Sequence, residues 1–194
     1  MISVLAYLAI EVIIVGQVIT GHESWLPLAM PVLAWIFARA LRRTTLSSLA
    51  FVTGLGLSFA GDITEDFLPK MALFAGVHVA YIVALRGAWR GRPIHLGVVI
   101  PGGAAIALVA LLSGPLWPAV VGYGVLILVM ANLAASYSRE ALVGAIAFIV
   151  SDLLIALQAV RPELESNWLS AVAVGLYLAA QGCLAAAVIK EENA

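Results

Sequence analysis

The stretch EALVGAIAFIVSDLLIALQA, Glu140–Ala159, decides the fold. It is 20 residues long and carries only two charges, Glu140 at its start and Asp152 inside it. An α-helix needs about 20 mostly apolar residues to cross a bilayer, so this run reads as a membrane span. Asp152 is the anomaly in it. A carboxylate at membrane depth costs at least ~2.5–3.5 kcal/mol on insertion scales, and by default it marks a functional site. The run Ser58-Phe59-Ala60-Gly61-Asp62 repeats the situation: an aspartate near the end of a long apolar run, after a small residue. In the other case the small residue is Ser151. Two such carboxylates point to acid–base chemistry or proton handling inside a membrane.

Composition extends this reading to the whole chain. Of 194 residues, 63% are hydrophobic and 11% charged, and the mean hydropathy is +1.09. A soluble domain is ~45–50% apolar and ~25% charged, so the chain is an integral membrane protein. We expect an all-α bundle, one transmembrane helical domain over residues 1–194. Its net charge of -1 says little about partners, since the charges cluster in short loops. No basic stripe or motif suggests nucleic acid. Cys183 is the only cysteine, which excludes an intramolecular disulfide. The first apolar run carries Glu11 and has no Lys or Arg before it. That is unlike a secretory signal, so it reads as a retained helix.

Eight spans are predicted: Ile2–Ile19, Trp25–Leu41, Leu46–Asp62, Pro69–Arg86, His95–Leu112, Leu116–Ala135, Glu140–Ala159 and Asn167–Ile189. The connections are short and hold the punctuation, as in Thr20-Gly21-His22-Glu23, Arg90-Gly91-Arg92-Pro93 and Ser113-Gly114-Pro115. Lys and Arg set the orientation. Arg39, Arg42, Arg43, Arg86, Arg90, Arg92, Arg139 and Lys190 all fall on one side, and Lys70 and Arg161 on the other. That asymmetry predicts both termini in the cytoplasm. The lack of a targeting extension and the marked bias suit a bacterial inner membrane. Gly54, Gly56, Gly102, Gly103, Gly122, Gly124, Gly144 and Gly175 are expected to allow close helix approach. Pro31 and Pro101 are expected to kink or locally unwind the second and fifth helices.

A weak repeat is visible. Gly54 precedes Asp62 by eight residues, and Gly144 precedes Asp152 by eight. The helices concerned are third and seventh, so the chain would contain two parallel four-helix repeats.

With that orientation Asp62 lies at the outer end of helix three, and Asp152 in the outer half of helix seven. His78 lies about three turns below the outer surface on helix four. Tyr81, three residues on, shares its face, as does Phe74 four before. Asp62, His78, Tyr81 and Asp152 are therefore expected to converge in one outer-half pocket. Glu11, Asn132 and Ser151 join them as candidate substrate contacts. Gln17, Gln158 and Gln181 are expected to serve interhelical hydrogen bonds. His22, His95, Trp25, Trp89, Trp117 and Trp168 sit near span ends, where an aromatic belt is ordinary. There is no His-Glu-x-x-His or cysteine pair for zinc, no Gly-x-Ser-x-Gly elbow, no Walker motif and no dinucleotide fingerprint. Neither a cofactor nor a metal is implied.

Three ordered blocks carry a family resemblance: Gly56-Leu57-Ser58-Phe59-Ala60-Gly61-Asp62, Phe74-Ala75-Gly76-Val77-His78-Val79-Ala80-Tyr81 and Gly144-Ala145-Ile146-Ala147-Phe148-Ile149-Val150-Ser151-Asp152. Together they resemble the signature blocks of the YhhN-like lysoplasmalogenase family, multi-span membrane proteins of about this length. Pro27 to Pro31 resembles its second-helix block. Two departures concern the polar headgroup. Leu26 stands where the family often has a lysine, and Glu65 replaces an apolar residue after the Gly-Asp pair. The resemblance implies hydrolysis of the vinyl ether bond of lysoplasmalogens, with Asp62 and Asp152 as catalytic aspartates. The products would be a fatty aldehyde and a glycerophosphoethanolamine or glycerophosphocholine.

Such a bond breaks after protonation of its outer alkene carbon, which leaves an oxocarbenium ion for water to trap. One carboxyl must hold a proton and another must guide water. A carboxyl among apolar atoms keeps its proton to higher pH, and paired carboxylates serve glycosidases through a similar cation. We expect Asp152, the more deeply flanked, to be the acid and Asp62 the base; the reverse order meets the same chemical need. Two other classes fit the same residues. Intramembrane Asp, Glu and His also build proton relays, which would make the chain a small proton-coupled transporter. A lipid-binding membrane protein without catalysis would also keep the fold.

Overall fold

A computed structural model describes residues 2–22, 25–89 and 94–194. Glu23, Arg90, Gly91, Arg92 and Pro93, singled out above in loops, lie outside the described residues. The described chain is a helical bundle: α1(Ile2–Ile19), α2(Leu26–Ala40), α3(Leu46–Asp62), α4(Phe67–Ala84), α5(Leu96–Leu112), α6(Trp117–Tyr137), α7(Arg139–Val160) and α8(Asn167–Glu192). Every predicted span is a helix, with ends displaced by at most three residues. Among the described residues, the segments Phe67–Ala84, Gly114–Tyr137, Arg139–Val160 and Asn167–Glu192 are long and apolar enough to cross a membrane. The other helices are apolar and shorter.

The helix ends follow local chemistry. Thr45 and Ser48 close a reciprocal capping box on α3, at 3.2 and 2.8 Å. Ser138 accepts from Ala141 N–H at the start of α7, and Ser166 from Leu169 N–H at the start of α8. α1 stops at Gly21, whose φ of 69° lets His22 N–H reach Gln17 C=O and its own N–H reach Val18 C=O. α2 and α5 run unbroken through Pro31 and Pro101, against the expected local unwinding. Each proline is the sixth residue of its helix and removes one N–H···O=C bond, to the carbonyl of Pro27 in α2 and of Gly97 in α5.

α1, α2, α3, α4, α6, α7 and α8 follow one another around the bundle, each packed on the next, and α8 closes back onto α1. α8 also touches α2 and α3, while α5 lies outside, against α6 and α7. Chain neighbours run antiparallel. Tyr7 hydroxyl donates to Leu178 C=O at 2.9 Å, and Asn167 amide to Ile19 C=O at 3.4 Å, so α1 descends along α8. Arg42 N–H bonds Asn193, and Lys190 pairs with Glu140 at 2.7 Å. Arg39, Arg42, Arg43, Arg86, Arg139 and Lys190 thus share the end of the bundle that holds the C-terminus. Trp25, Trp117 and Trp168 begin α2, α6 and α8 at the opposite end, each more than half exposed.

The glycines divide. A Cβ on Gly54 or Gly61 would strike the rings of Tyr81 and Phe74, so α3 meets α4 through them. Gly102 and Gly124 seat against Leu128 and Ile106 between α5 and α6. Gly144 lies against Ala180 C=O, Cys183 and Leu184 of α8. Gly175 makes an ordinary contact with Val15. Gly56, Gly103 and Gly122 have open space where a Cβ would go, so the expectation of close packing fails for these three.

Candidate functional site

Near the end of the bundle that carries the three tryptophans, a cavity of about 300 Å³ opens between α2, α3, α4, α6, α7 and α8. Its walls are largely apolar: Leu26, Phe67, Met71, Phe74, Val120, Ile155, Ala156 and Val174. The polar groups on it are Asp62, Asp152, Tyr123, Tyr177 and Lys70. The two aspartates come from helices three and seven, yet line one space.

Each carboxylate is held by a tyrosine of another helix. Tyr177 hydroxyl, on α8, donates to Asp62 Oδ2 at 3.0 Å. Tyr123 hydroxyl, on α6, donates to Asp152 Oδ2. Tyr123 is shared further, since His78 Nε2 lies 2.9 Å from its oxygen and 3.5 Å from Asp152 Oδ2. Because Tyr123 gives its one proton to Asp152, its oxygen can only accept from His78, which places a proton on Nε2. His78, fully buried, therefore acts through Tyr123 and beside Asp152. Each aspartate thus has one hydrogen-bond donor, Tyr123 of α6 for Asp152 and Tyr177 of α8 for Asp62, and Asp152 has the His78 ring beside it as well.

Phe148 separates this upper layer from a lower one. Its ring meets His78, Tyr177 and Tyr81 edge-on, at centroid distances of 5.0, 5.7 and 6.4 Å. Beneath it Tyr81 donates to Gln181 Oε1, and Gln181 amide donates to Ser58 at 3.0 Å. Tyr81 also stacks on Phe51 at 4.8 Å. An amide cross-braced between α3, α4 and α8 satisfies buried polar groups that lipid could not.

This arrangement sorts the sequence candidates. Asp62 and Asp152 face one cavity, with His78 behind Asp152. Tyr81 shares the His78 face but is not on the cavity wall; it belongs to the lower layer. Ser151 is buried and donates to Ala173 C=O at 2.8 Å, which ties α7 to α8. Asn132 is far from the aspartates. Its Oδ1 accepts from His95 N–H at 2.8 Å, serving the first turn of α5. Glu11 lies on α1, half-buried, outside the cavity wall. Gln158 bonds Ser170 across α7 and α8, and Gln17 accepts from Trp25 N–H. Sequence reasoning passed over Tyr123 and Tyr177. Both lie well inside their helices, and that depth was the available signal, since a buried phenol needs a hydroxyl partner.

Residues 22–188 match the YhhN family. The chain belongs to the YhhN family. The match runs from the end of α1 through Val188 of α8, so it takes in every residue of the cavity. Neither a curated protein nor a solved structure gave a match. Of the two departures noted in the sequence, Leu26 stands on the cavity wall and Glu65 is exposed in the α3–α4 turn, off that wall.

Proposed function

We propose that this membrane protein is a hydrolase of the vinyl ether bond of lysoplasmalogen, releasing a fatty aldehyde and glycerophosphoethanolamine or glycerophosphocholine. The observation that carries the reading is the pair Asp62 and Asp152 on one largely apolar cavity, each with its own tyrosine donor. On this reading all eight helices span the bilayer, both termini are cytoplasmic, and the cavity serves the outer leaflet of a bacterial inner membrane.

We write the roles in the reverse of the order expected from sequence, on the strength of the imidazole beside Asp152. Asp152 accepts from Tyr123, whose oxygen faces His78 Nε2, and the imidazole itself lies 3.5 Å from the carboxylate; we give it the role of the base that guides water. Asp62 accepts from Tyr177 and has no imidazole beside it; we give it the role of the acid. Asp62 then protonates the outer alkene carbon, and the π electrons form the new C–H bond. The oxocarbenium ion that results lies between two carboxylates. Asp152 takes a proton from water as it adds, giving a hemiacetal. In the collapse, Asp62 recovers a proton from the hemiacetal hydroxyl and Asp152 passes its proton to the departing glycerol oxygen. One water is consumed, and both carboxyl groups return to their starting state.

The test is aldehyde release by purified protein in detergent. Lysoplasmalogen should yield aldehyde, and the matching acyl lysophospholipid should yield none. Asp62→Asn and Asp152→Asn should each abolish release while keeping the wild-type elution profile. Full activity in both variants would defeat the two-carboxylate mechanism. A pH change in proteoliposomes driven by a solute, without bond cleavage, would instead make the chain a carrier.

A further inference from the structure

Lys70 is the one cation among the described residues on the wall of the cavity. Among the described residues Arg161 is the other Lys or Arg at this end of the bundle, and it is paired with Glu163 at 3.2 Å. Lys70 has no ion pair among the described residues. It sits in the first turns of α4, half-buried, with Phe67, Met71 and Phe74 of the same helix beside it on the wall. An ammonium placed against apolar surface keeps its stem there and needs water or an anion for its head. Lys70 is within electrostatic reach of Asp62 but forms no ion pair with it, and the hydrogen bonds of Asp62 and Asp152 go to Tyr177 and Tyr123.

The cavity therefore offers three things in one space: apolar walls, two carboxylates and an ammonium that makes no ion pair among the described residues. Its complement is an amphiphile with an anion a few bonds from the atom that lies between the aspartates. A glycerophospholipid with one chain has that order. Its phosphate follows the chain-bearing oxygen by the length of a glycerol. We propose that Lys70 is the anion-binding residue of this cavity, and that the amphiphile held there presents a phosphate ester to it. The inference rests on the hydrolase reading only for which bond is cut, and not for where the anion sits.

The experiment measures binding apart from turnover. Full-length protein in detergent is titrated with a non-hydrolysable alkyl-ether lysophospholipid, and separately with the alkyl glycerol of the same chain. Wild type is compared with Lys70→Met and Lys70→Arg. Loss of one charge-assisted contact should weaken the phosphate-bearing ligand by about 10–100-fold. The alkyl glycerol should change by less than about twofold, and Lys70→Arg should recover most of the loss. Equal loss for both ligands, or no loss for either, overturns the proposal. Displacement of the lysophospholipid by millimolar inorganic phosphate overturns its amphiphile part. If wild type releases no aldehyde but binds in this Lys70-dependent way, the hydrolase reading falls and the anion site stands.

Discussion

Tyr123 and Tyr177 offer the sharpest handle on which aspartate holds the proton. Tyr123 donates to Asp152 and is itself backed by His78, whereas Tyr177 donates to Asp62 with no imidazole behind it. A hydrogen bond to a charged group contributes ~1.5–3 kcal/mol, and one to a neutral group nearer ~1 kcal/mol. If Asp152 is the carboxylate, Tyr123→Phe should lower kcat by about 10–100-fold, at about 1.4 kcal/mol per factor of ten. Tyr177→Phe should cost about fivefold on the same scale. The comparison is read from aldehyde release at saturating substrate. The opposite ranking would assign the proton to Asp152. His78→Gln, which keeps a donor but not the imidazole, should fall closer to wild type than His78→Phe. The aspartates themselves were legible in the sequence because the cost of burying a charge in lipid does not depend on knowing the fold. Their tyrosines were not, because a phenol on an apolar helix looks the same whether it faces lipid, a belt or a carboxylate. Helix rotation decides that, and rotation is a property of the packed bundle.

Among the helices, the eight glycines show what local pattern can and cannot carry. Hydropathy placed all eight helices to within three residues, since span length is set by an apolar run between turn residues. It could not say which face of a helix a glycine would occupy. Gly54 and Gly56 lie two residues apart on α3 and have opposite surroundings: one under the Tyr81 ring, the other in open space. Gly54→Ala should push Tyr81 off Gln181 and Phe51, destabilising the bundle by about 1–3 kcal/mol as overpacking does. Gly56→Ala should be neutral or mildly stabilising, because alanine favours the helix by up to ~1 kcal/mol. Thermal denaturation in detergent, followed by tryptophan fluorescence, checks the pair. Equal losses in both variants would mean that the α3–α4 contact does not run through Tyr81. Gly144 occupies on α7 the place that Gly54 occupies on α3, eight residues before the aspartate and seated on the following helix. The two contacts are alike in position and in kind. Each aspartate is fixed relative to the helix that follows it by a glycine two turns away.

Across the whole bundle, most of the described cations and the cavity lie toward opposite ends. Arg39, Arg42, Arg43, Arg86, Arg139 and Lys190 gather at one end, while the cavity, the exposed tryptophans, Lys70 and Arg161 lie toward the other. Cations within short loops stay on the cytoplasmic side, so the cavity should face outward. The prediction is tested on a Cys183→Ala background, which removes the only native thiol. Single cysteines are placed at three exposed loop positions: Thr44 between α2 and α3, Asp66 before α4, and Glu163 between α7 and α8. In intact bacterial spheroplasts, a membrane-impermeant maleimide should label Asp66→Cys and Glu163→Cys. It should reach Thr44→Cys only after the membrane is opened. The reverse pattern would put the aspartates toward the cytoplasm and would deliver lysolipid from the inner leaflet. Labelling of Asp66 and Glu163 from opposite sides would be the more damaging result. It would mean that an odd number of the helices between them cross the bilayer, so that α3 and α7 could not run in the same direction. The shared cavity needs both to run the same way, because Asp62 ends α3 while Asp152 lies eight residues, ~12 Å, short of the end of α7. Parallel helices three and seven bring those depths close enough to line one space; antiparallel ones would set the two carboxylates toward opposite faces of the membrane.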